Sequence, residues 1–368
     1  MYRFTARVIC IVLLLLLTTF LITVTLSPYR IDTLLGSGYE QGYLGYSPEK
    51  AVHWYLRAAE DGDPVAQFKL GIMSLKGKGT ATDTTVGLKW LRSAAESGYA
   101  PAQYRLGQEI EAGTAGSPDY STAAQWVAKA AVQGLAPAQG DLAARYQYGL
   151  GVAQDDALAF SWAIRAAEQG DAIGLRTLGY AYIFGRGAPL DPVAALPLLI
   201  QAADKGDGLA AEMLGAAKLA GTGAPKSIDE ALRWYTRAAE LERAKAQFAL
   251  GYLYSGAEGV KQNLDLAAYW FLRAAEQGNA MAQATLASFL NKGAGFEVSK
   301  VKACAIARVA LRKNLPQDTA AHLTSQLARD EATLTAEQLQ EIEVLAHLYS
   351  TPEGVATLRA DLLKAPAH

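Results

Sequence analysis

Few residues in this chain of 368 have the type and spacing to do chemistry. Its four histidines, His53, His322, His347 and His368, stand apart, and none has metal-ligand spacing to another histidine or to a cysteine. His53 sits beside Trp54 in a helical pattern and reads as structural or exposed. Cys10 falls in an apolar run, and Cys304, among Ala303, Ala305 and Ala307, reads as a small buried side chain rather than a reactive thiol. No nucleophile elbow occurs. Gly-x-Gly copies such as Gly149-Leu150-Gly151 recur along the chain, so they read as helix terminators and not as a phosphate loop. No catalytic, cofactor-binding or metal-ligating residue is expected, no cofactor, and no enzyme. With 34 Lys plus Arg against 36 Asp plus Glu, a strong nucleic-acid binder is excluded.

The strongest signal is repetition. Ala-Ala recurs at Ala58, Ala94, Ala130, Ala166, Ala202, Ala238 and Ala274, a step of 36 residues without insertion. Four residues before each pair stand Trp54, Trp90, Trp126, Trp162, Leu198, Trp234 and Trp270, so all six tryptophans share one phase. Leu70-Gly71, Leu106-Gly107, Leu142-Ala143, Leu178-Gly179, Leu214-Gly215, Leu250-Gly251 and Leu286-Ala287 follow, and a Gly-x-Gly closes most copies.

One copy shows the physics. Ser47 can cap a helix with Pro48 at its first position, where the missing N–H costs nothing. Ala51, Trp54, Tyr55, Ala58 and Ala59 recur at three- and four-residue spacing, the mark of one buried face. Gly62 ends that helix, Asp63 and Pro64 start a second, and Gly77 and Gly79 stop it. Such a hairpin cannot bury its apolar face alone and is stabilised by stacking on the next. The expected fold is all-α, an alpha-alpha superhelix: a solenoid of helix-turn-helix repeats preceded by one N-terminal transmembrane helix. The tryptophans are expected in the core, so that Trp162→Ala would cost around 3–5 kcal/mol.

The pattern Ala-x-x-Trp-x-x-x-Ala-Ala-Glu-x-Gly-x-x-x-Ala-Gln-x-x-Leu-Gly, carried most fully by Ala51 to Gly79 and Ala267 to Gly295, resembles the Sel-1-like repeat, a relative of the tetratricopeptide repeat. The resemblance covers about Ser47 to Leu311. It implies a right-handed superhelix that binds proteins or peptides on its concave face, and it implies no reaction. Cysteine-rich members of that family staple each hairpin with a disulfide, and some have been discussed as acting on cell-wall precursors or penicillins; the staple positions are empty here.

Departures from the pattern are where recognition would be written. In the fifth copy Leu198 replaces tryptophan, Pro197 falls inside a helix and is expected to kink it, and Lys218 stands where Tyr146, Tyr182 and Tyr254 stand elsewhere. Leu241-Glu242-Arg243 replaces the inter-helix glycine and is expected to lengthen the preceding helix. Tyr146, Tyr148, Tyr180, Tyr182, Tyr252 and Tyr254 cluster on second helices; with Lys218 they are the candidate partner-binding residues, against the reading that helical spacing makes them core.

Arg3 and Arg7 precede the uncharged run Val8 to Leu26, whose nineteen residues at about 1.5 Å each match a bilayer core. Residues 8–26 are read as an uncleaved anchor in the lipid bilayer, with everything after Ser27 in the periplasm of a bacterium and a single pass through its inner membrane. Signal cleavage and a periplasmic or secreted protein is the alternative. The organisation expected is an anchor (1–27), a linker with a partial capping repeat from Leu34 to Gly45 (28–46), seven repeats (47–297), and a closing repeat with a helical cap (298–368). Thr335 and Gln338 form a candidate capping box there, with an apolar stripe at Leu339, Ile342, Leu345 and Leu348. The function expected is a membrane-anchored scaffold for other envelope proteins, assembling or regulating an exopolysaccharide or signalling system. The alternatives are an envelope enzyme or glycan-binding module acting on peptidoglycan or polysaccharide, and a secreted host-interaction factor.

Overall fold

The computed structural model describes residues 29–114 and 116–364; the run from Val8 to Leu26 lies outside the described residues. Nineteen α-helices, one short 3-10 turn and no strand occur among the described residues. No helix among them is long and apolar enough to cross a membrane. After α1 (Tyr29–Gln41) come seven hairpins, each an A helix and a B helix. They are α2 (Pro48–Glu60) with α3 (Pro64–Lys76), α4 (Thr84–Glu96) with α5 (Ala100–Glu111), α6 (Tyr120–Val132) with α7 (Ala136–Tyr148), and α8 (Asp156–Glu168) with α9 (Ala172–Phe184). Then follow α10 (Pro192–Asp204) with α11 (Gly208–Ala220), α12 (Ile228–Glu240) with α13 (Ala244–Tyr254), and α14 (Leu264–Glu276) with α15 (Ala280–Lys292). The chain closes with α16 (Lys300–Leu311), α17 (Gln317–Glu331), α18 (Ala336–Leu348) and α19 (Pro352–Lys364).

Local chemistry sets these boundaries. Ser47, Asp83, Asp119, Asp155, Asp191, Ser227, Asn263 and Ser299 share one phase, and each caps its A helix by accepting a backbone N–H with its side chain. B helices such as α3 and α7 end on a left-handed glycine, Gly77 or Gly149. At Gly79 a Cβ would run into the Pro48 carbonyl, so the closing turn folds back onto the start of its own hairpin only because that side chain is missing.

The helices form two compact units, one ending at Thr177 and the other beginning at Leu178. Within the first, α1 to α8 follow one rule: each B-type helix lies against its own A helix and against the A helix that comes next. In the second, α10 to α16 follow the same rule. The contact that fixes it lies one residue after the tryptophan phase. A Cβ on Gly71 would come within 2.9 Å of Leu91, and one on Gly107 within 3.0 Å of Val127. The same holds for Gly179 and Leu199 at 2.9 Å, Gly215 and Tyr235 at 2.7 Å, and Gly251 and Phe271 at 2.7 Å. Each B helix offers a notch, and the A helix twenty residues on fills it. Where the notch holds an alanine, Ala143 or Ala287, the residue twenty on is also only an alanine, Ala163 or Ala307, and all four are buried. A large side chain enters only where the notch is a glycine, as close packing requires.

This corrects the expectation that the tryptophans form the core. All six are half-buried. Trp90, Trp126 and Trp162 lie at the edge of the cluster made by the preceding hairpin, while the neighbouring Tyr55, Leu91, Val127, Leu199, Tyr235 and Phe271 go inside. The expected 3–5 kcal/mol for Trp162→Ala is therefore too large. The α10 helix continues through Pro197, which stands inside it. One further expectation changes. The α12 helix ends at Glu240, in phase with the others, because Glu242 takes up the turn itself at φ +57°, where Gly206 and Gly278 stand at +90° and +79°.

At the ends, α1 packs on α2 with Gly36 beneath the Tyr55 ring, and Glu40 accepts from Tyr55 and Lys69 at 2.9 and 3.1 Å. The capping box at Thr335 and Gln338 forms, and Ile342 is buried, while Leu348 at the end of the expected stripe is exposed. The α17 helix, unforeseen in the sequence, joins α16, α18 and α19 in one apolar cluster around buried Cys304. Burial pushes that thiol up to about 11, so it is not a thiolate at neutral pH.

Candidate functional site

The candidate tyrosines divide by exposure. Tyr148 on α7 and Tyr252 on α13 are exposed, at 48% and 51%. Tyr146, Tyr180, Tyr182 and Tyr254 are half-buried; Tyr146, like Tyr104, packs at the edge of the cluster around Val127 and Leu142. The phase they share has a backbone duty. The carbonyls of Tyr146, Tyr182, Lys218 and Tyr254 each accept from the N–H of the residue capping the next A helix, at 2.8–3.0 Å. Lys218 does not project as a free cation, since its ammonium meets Glu230 at the start of α12 at 2.7 Å. Tyr148 and Tyr252 are thus the members of the set whose aromatic rings are exposed.

A second feature was missed by sequence reasoning. On the B-helix phase that holds Met73, Ala217 and Leu253 and, in the preceding hairpin, buried Glu109, α7 carries Arg145, 2% exposed at its side chain. Its Nη2 donates to Glu111 on α5, and its Nε lies 3.0 Å from Asp141 one turn earlier. Burial raises the Asp141 pKa, though Arg145 pulls it back; burial opposes the Arg145 charge, but Asp141 and Glu111 outweigh it. Tyr104 beside them is pushed up to about 12, chiefly by burial, with Asp141 and Asp171 adding to it. Glu111 and Asp141 thus converge on one guanidinium rather than on an open space, which is a charge pair and not the separated acid and base of hydrolytic chemistry. Among the described residues no group of His, Cys, Asp and Glu could hold a metal. The signal that could have found this site was a charged residue on an apolar phase.

Two arrangements recur along the array. Four of the six half-exposed tryptophans carry a cation one turn on: Arg57 lies 5.0 Å from the Trp54 ring, Lys129 3.9 Å from Trp126, Arg165 4.7 Å from Trp162 and Arg237 5.7 Å from Trp234. Buried glutamines form a ladder. Gln67, Gln103, Gln139, Gln247 and Gln283 each donate to the carbonyl eight residues back, at the end of an A helix. Three of them also accept from a glutamine at the next A-helix end: Gln133 to Gln103 at 2.7 Å, and Gln169 to Gln139 and Gln277 to Gln247 at 2.8 Å. Where that position holds Ser97 or Lys313 instead, the Oε1 of Gln67 or Gln283 is buried without a hydrogen bond.

The Sel1 repeat model matches seven stretches, 33–63, 64–99, 100–135, 136–171, 174–207, 208–242 and 244–279. Each stretch runs from a B-type helix through the next A helix, so the notch and the side chain filling it fall inside one unit, and α1 opens the first. No curated protein matches the chain. Among solved structures, a Sel1 repeat protein from Oxalobacter formigenes is 30% identical, covering 66% of this chain and 96% of its own, with a TM-score of 0.61. A protective antigen of uropathogenic Escherichia coli that displays an SLR fold is 28% identical, covering 94% and 89%, with a TM-score of 0.54.

Proposed function

The chain belongs to the Sel1 repeat family, a class of helical scaffold consistent with protein–protein interaction, and on that premise we propose that it is a membrane-anchored scaffold binding other proteins of the bacterial cell envelope. The observation that carries this is the half-exposed tryptophan with a cation one turn on, shared by four of the seven hairpins on helices whose geometry is set by notch and ladder. Each such pair offers a polypeptide an aromatic-plus-cation contact, present at four of the seven hairpins, which favours a partner with acidic side chains. Tyr148 and Tyr252 add exposed aromatic contacts on B helices, one in each unit.

The envelope placement rests on two further features. The run Val8 to Leu26 is long enough for a bilayer core and follows two arginines. Close behind it, α1 leaves Leu34 54% exposed, on the phase where Leu70 and Leu106 are buried, and Tyr43 and Tyr46 are exposed nearby. Aromatic and apolar side chains in that position suit a lipid interface. The antigenic relative from Escherichia coli fits an envelope location too. Assembly or control of an exopolysaccharide or signalling system is the role proposed. N-terminal sequencing of the mature protein tests the anchor: a start at Met1 supports it, and a start near Ser27 replaces the anchored scaffold by a released one. Crosslinking in intact membranes tests the scaffold, and recovery of no defined partner argues against it.

A further inference from the structure

The last rung of the glutamine ladder opens onto a cleft. Gln283 is 3% exposed, donates to Ala275 at 3.2 Å, and has an Oε1 that accepts nothing. It forms part of the wall of a cleft of about 320 Å³ that also includes Glu276, Lys313, Tyr349, Ser350 and Thr351. In the interior of the array such an oxygen receives a glutamine side chain from the next hairpin. Gln169 shows the full arrangement: its one amide nitrogen donates to Gln139 Oε1 at 2.8 Å and to the Gly134 carbonyl at 3.1 Å, so two N–H groups meet two acceptors. At the last rung the same two acceptors are Gln283 Oε1 and the Gly278 carbonyl. The residue in register is Lys313, whose ammonium donates to Gly278 at 2.9 Å and leaves Gln283 unanswered. Burial lowers the Lys313 pKa, a sign that its charge sits there at a cost.

We propose that this cleft is a recognition subsite for a primary carboxamide, the glutamine or asparagine side chain of a partner polypeptide, which displaces the Lys313 ammonium and donates to both Gln283 Oε1 and the Gly278 carbonyl. The freed ammonium then donates to the carboxamide oxygen. A carboxylate cannot take this place, because it has no proton for either acceptor. The subsite deepens the protein-recognition reading by naming one side chain of the partner, and it can fail without that reading failing.

Ligand-observed saturation-transfer NMR on the full-length protein, with propionamide as the probe and propionate as its control, tests it. Propionamide is expected to bind saturably and propionate not. Gln283→Met is expected to weaken propionamide at least tenfold. Lys313→Gln, an exposed change that does not risk the fold, is expected to abolish binding and to raise the melting temperature, because its own carboxamide completes the rung. No saturable propionamide signal, equal binding of propionate, or unchanged binding in Lys313→Gln would each overturn the proposal. Partner recovery from membranes without propionamide binding would leave the scaffold standing and remove the subsite. The converse result would keep the subsite and remove the scaffold.

Discussion

Arg145 brings a charge into a position that most other hairpins fill with an apolar side chain and the preceding one with Glu109, and its retention there depends on Asp141 and Glu111. Removing one member of a buried ion pair costs more than removing the pair, because the survivor is left desolvated and alone. Arg145→Met is therefore expected to destabilise the protein by about 2–3 kcal/mol, discounted from the value for fully buried pairs because Glu111 is partly solvated. Arg145→Met with Asp141→Ala is expected to recover most of that loss, which denaturant melts of the two variants would show. A second residue sets the acid response. Burial opposes the Glu40 charge, but Lys69, Tyr55 and Lys78 outweigh it and hold its pKa below the ordinary 4.5. The folded state therefore releases this proton more readily than the unfolded chain, so the stability it contributes is present above pH 4.5 and is lost as pH falls through the lowered folded value. Glu40→Gln should flatten the fall in stability below that pH, and an unchanged acid limb would show that α1 is not held this way. None of this was legible beforehand. A lone arginine in a helix usually reads as surface, and only the register with Met73 and Leu253 marks Arg145 as inside.

At the scale of helices, the notch pairs govern stacking. The glycine phase and the tryptophan phase are both plain in the sequence, but the residue that fills the notch follows the tryptophan, so the largest side chain is not the deepest. Twenty-residue pairing between two different hairpins cannot be read from periodicity within one helix. Gly251→Ala should force the Phe271 ring aside and cost about 1–2 kcal/mol after the helix-propensity gain of alanine is counted. Phe271→Ala should cost about 3–5 kcal/mol. The double variant recreates the alanine pair of Ala143 and Ala163, so its cost should fall short of the sum by at least about 1 kcal/mol. Additive effects in a double-mutant cycle would contradict the pairing. The ladder makes a gain testable as well: Ser97→Gln should give Gln67 Oε1 the partner it lacks and stabilise by about 1 kcal/mol. A loss in thermal unfolding would mean that the rung cannot form there.

At the scale of the whole chain, seven hairpins and their caps were legible because every copy repeats the same caps, turns and small residues in phase. The α17 helix was not legible, because the closing segment abandons the period. The candidate surface was legible in part: exposed Tyr148 and Tyr252 were in the expected set, whereas Tyr146, Tyr182, Tyr254 and Lys218 stand on the phase that anchors the next helix. The scaffold reading is tested most directly by photo-crosslinking in intact membranes, with the wild-type chain and a Tyr148→Ala, Tyr252→Ala variant of equal melting temperature compared side by side. The expected result is one defined envelope protein crosslinked to the wild type and recovered at least tenfold less with the variant. Equal recovery by both, or no defined adduct from the wild type, would contradict it.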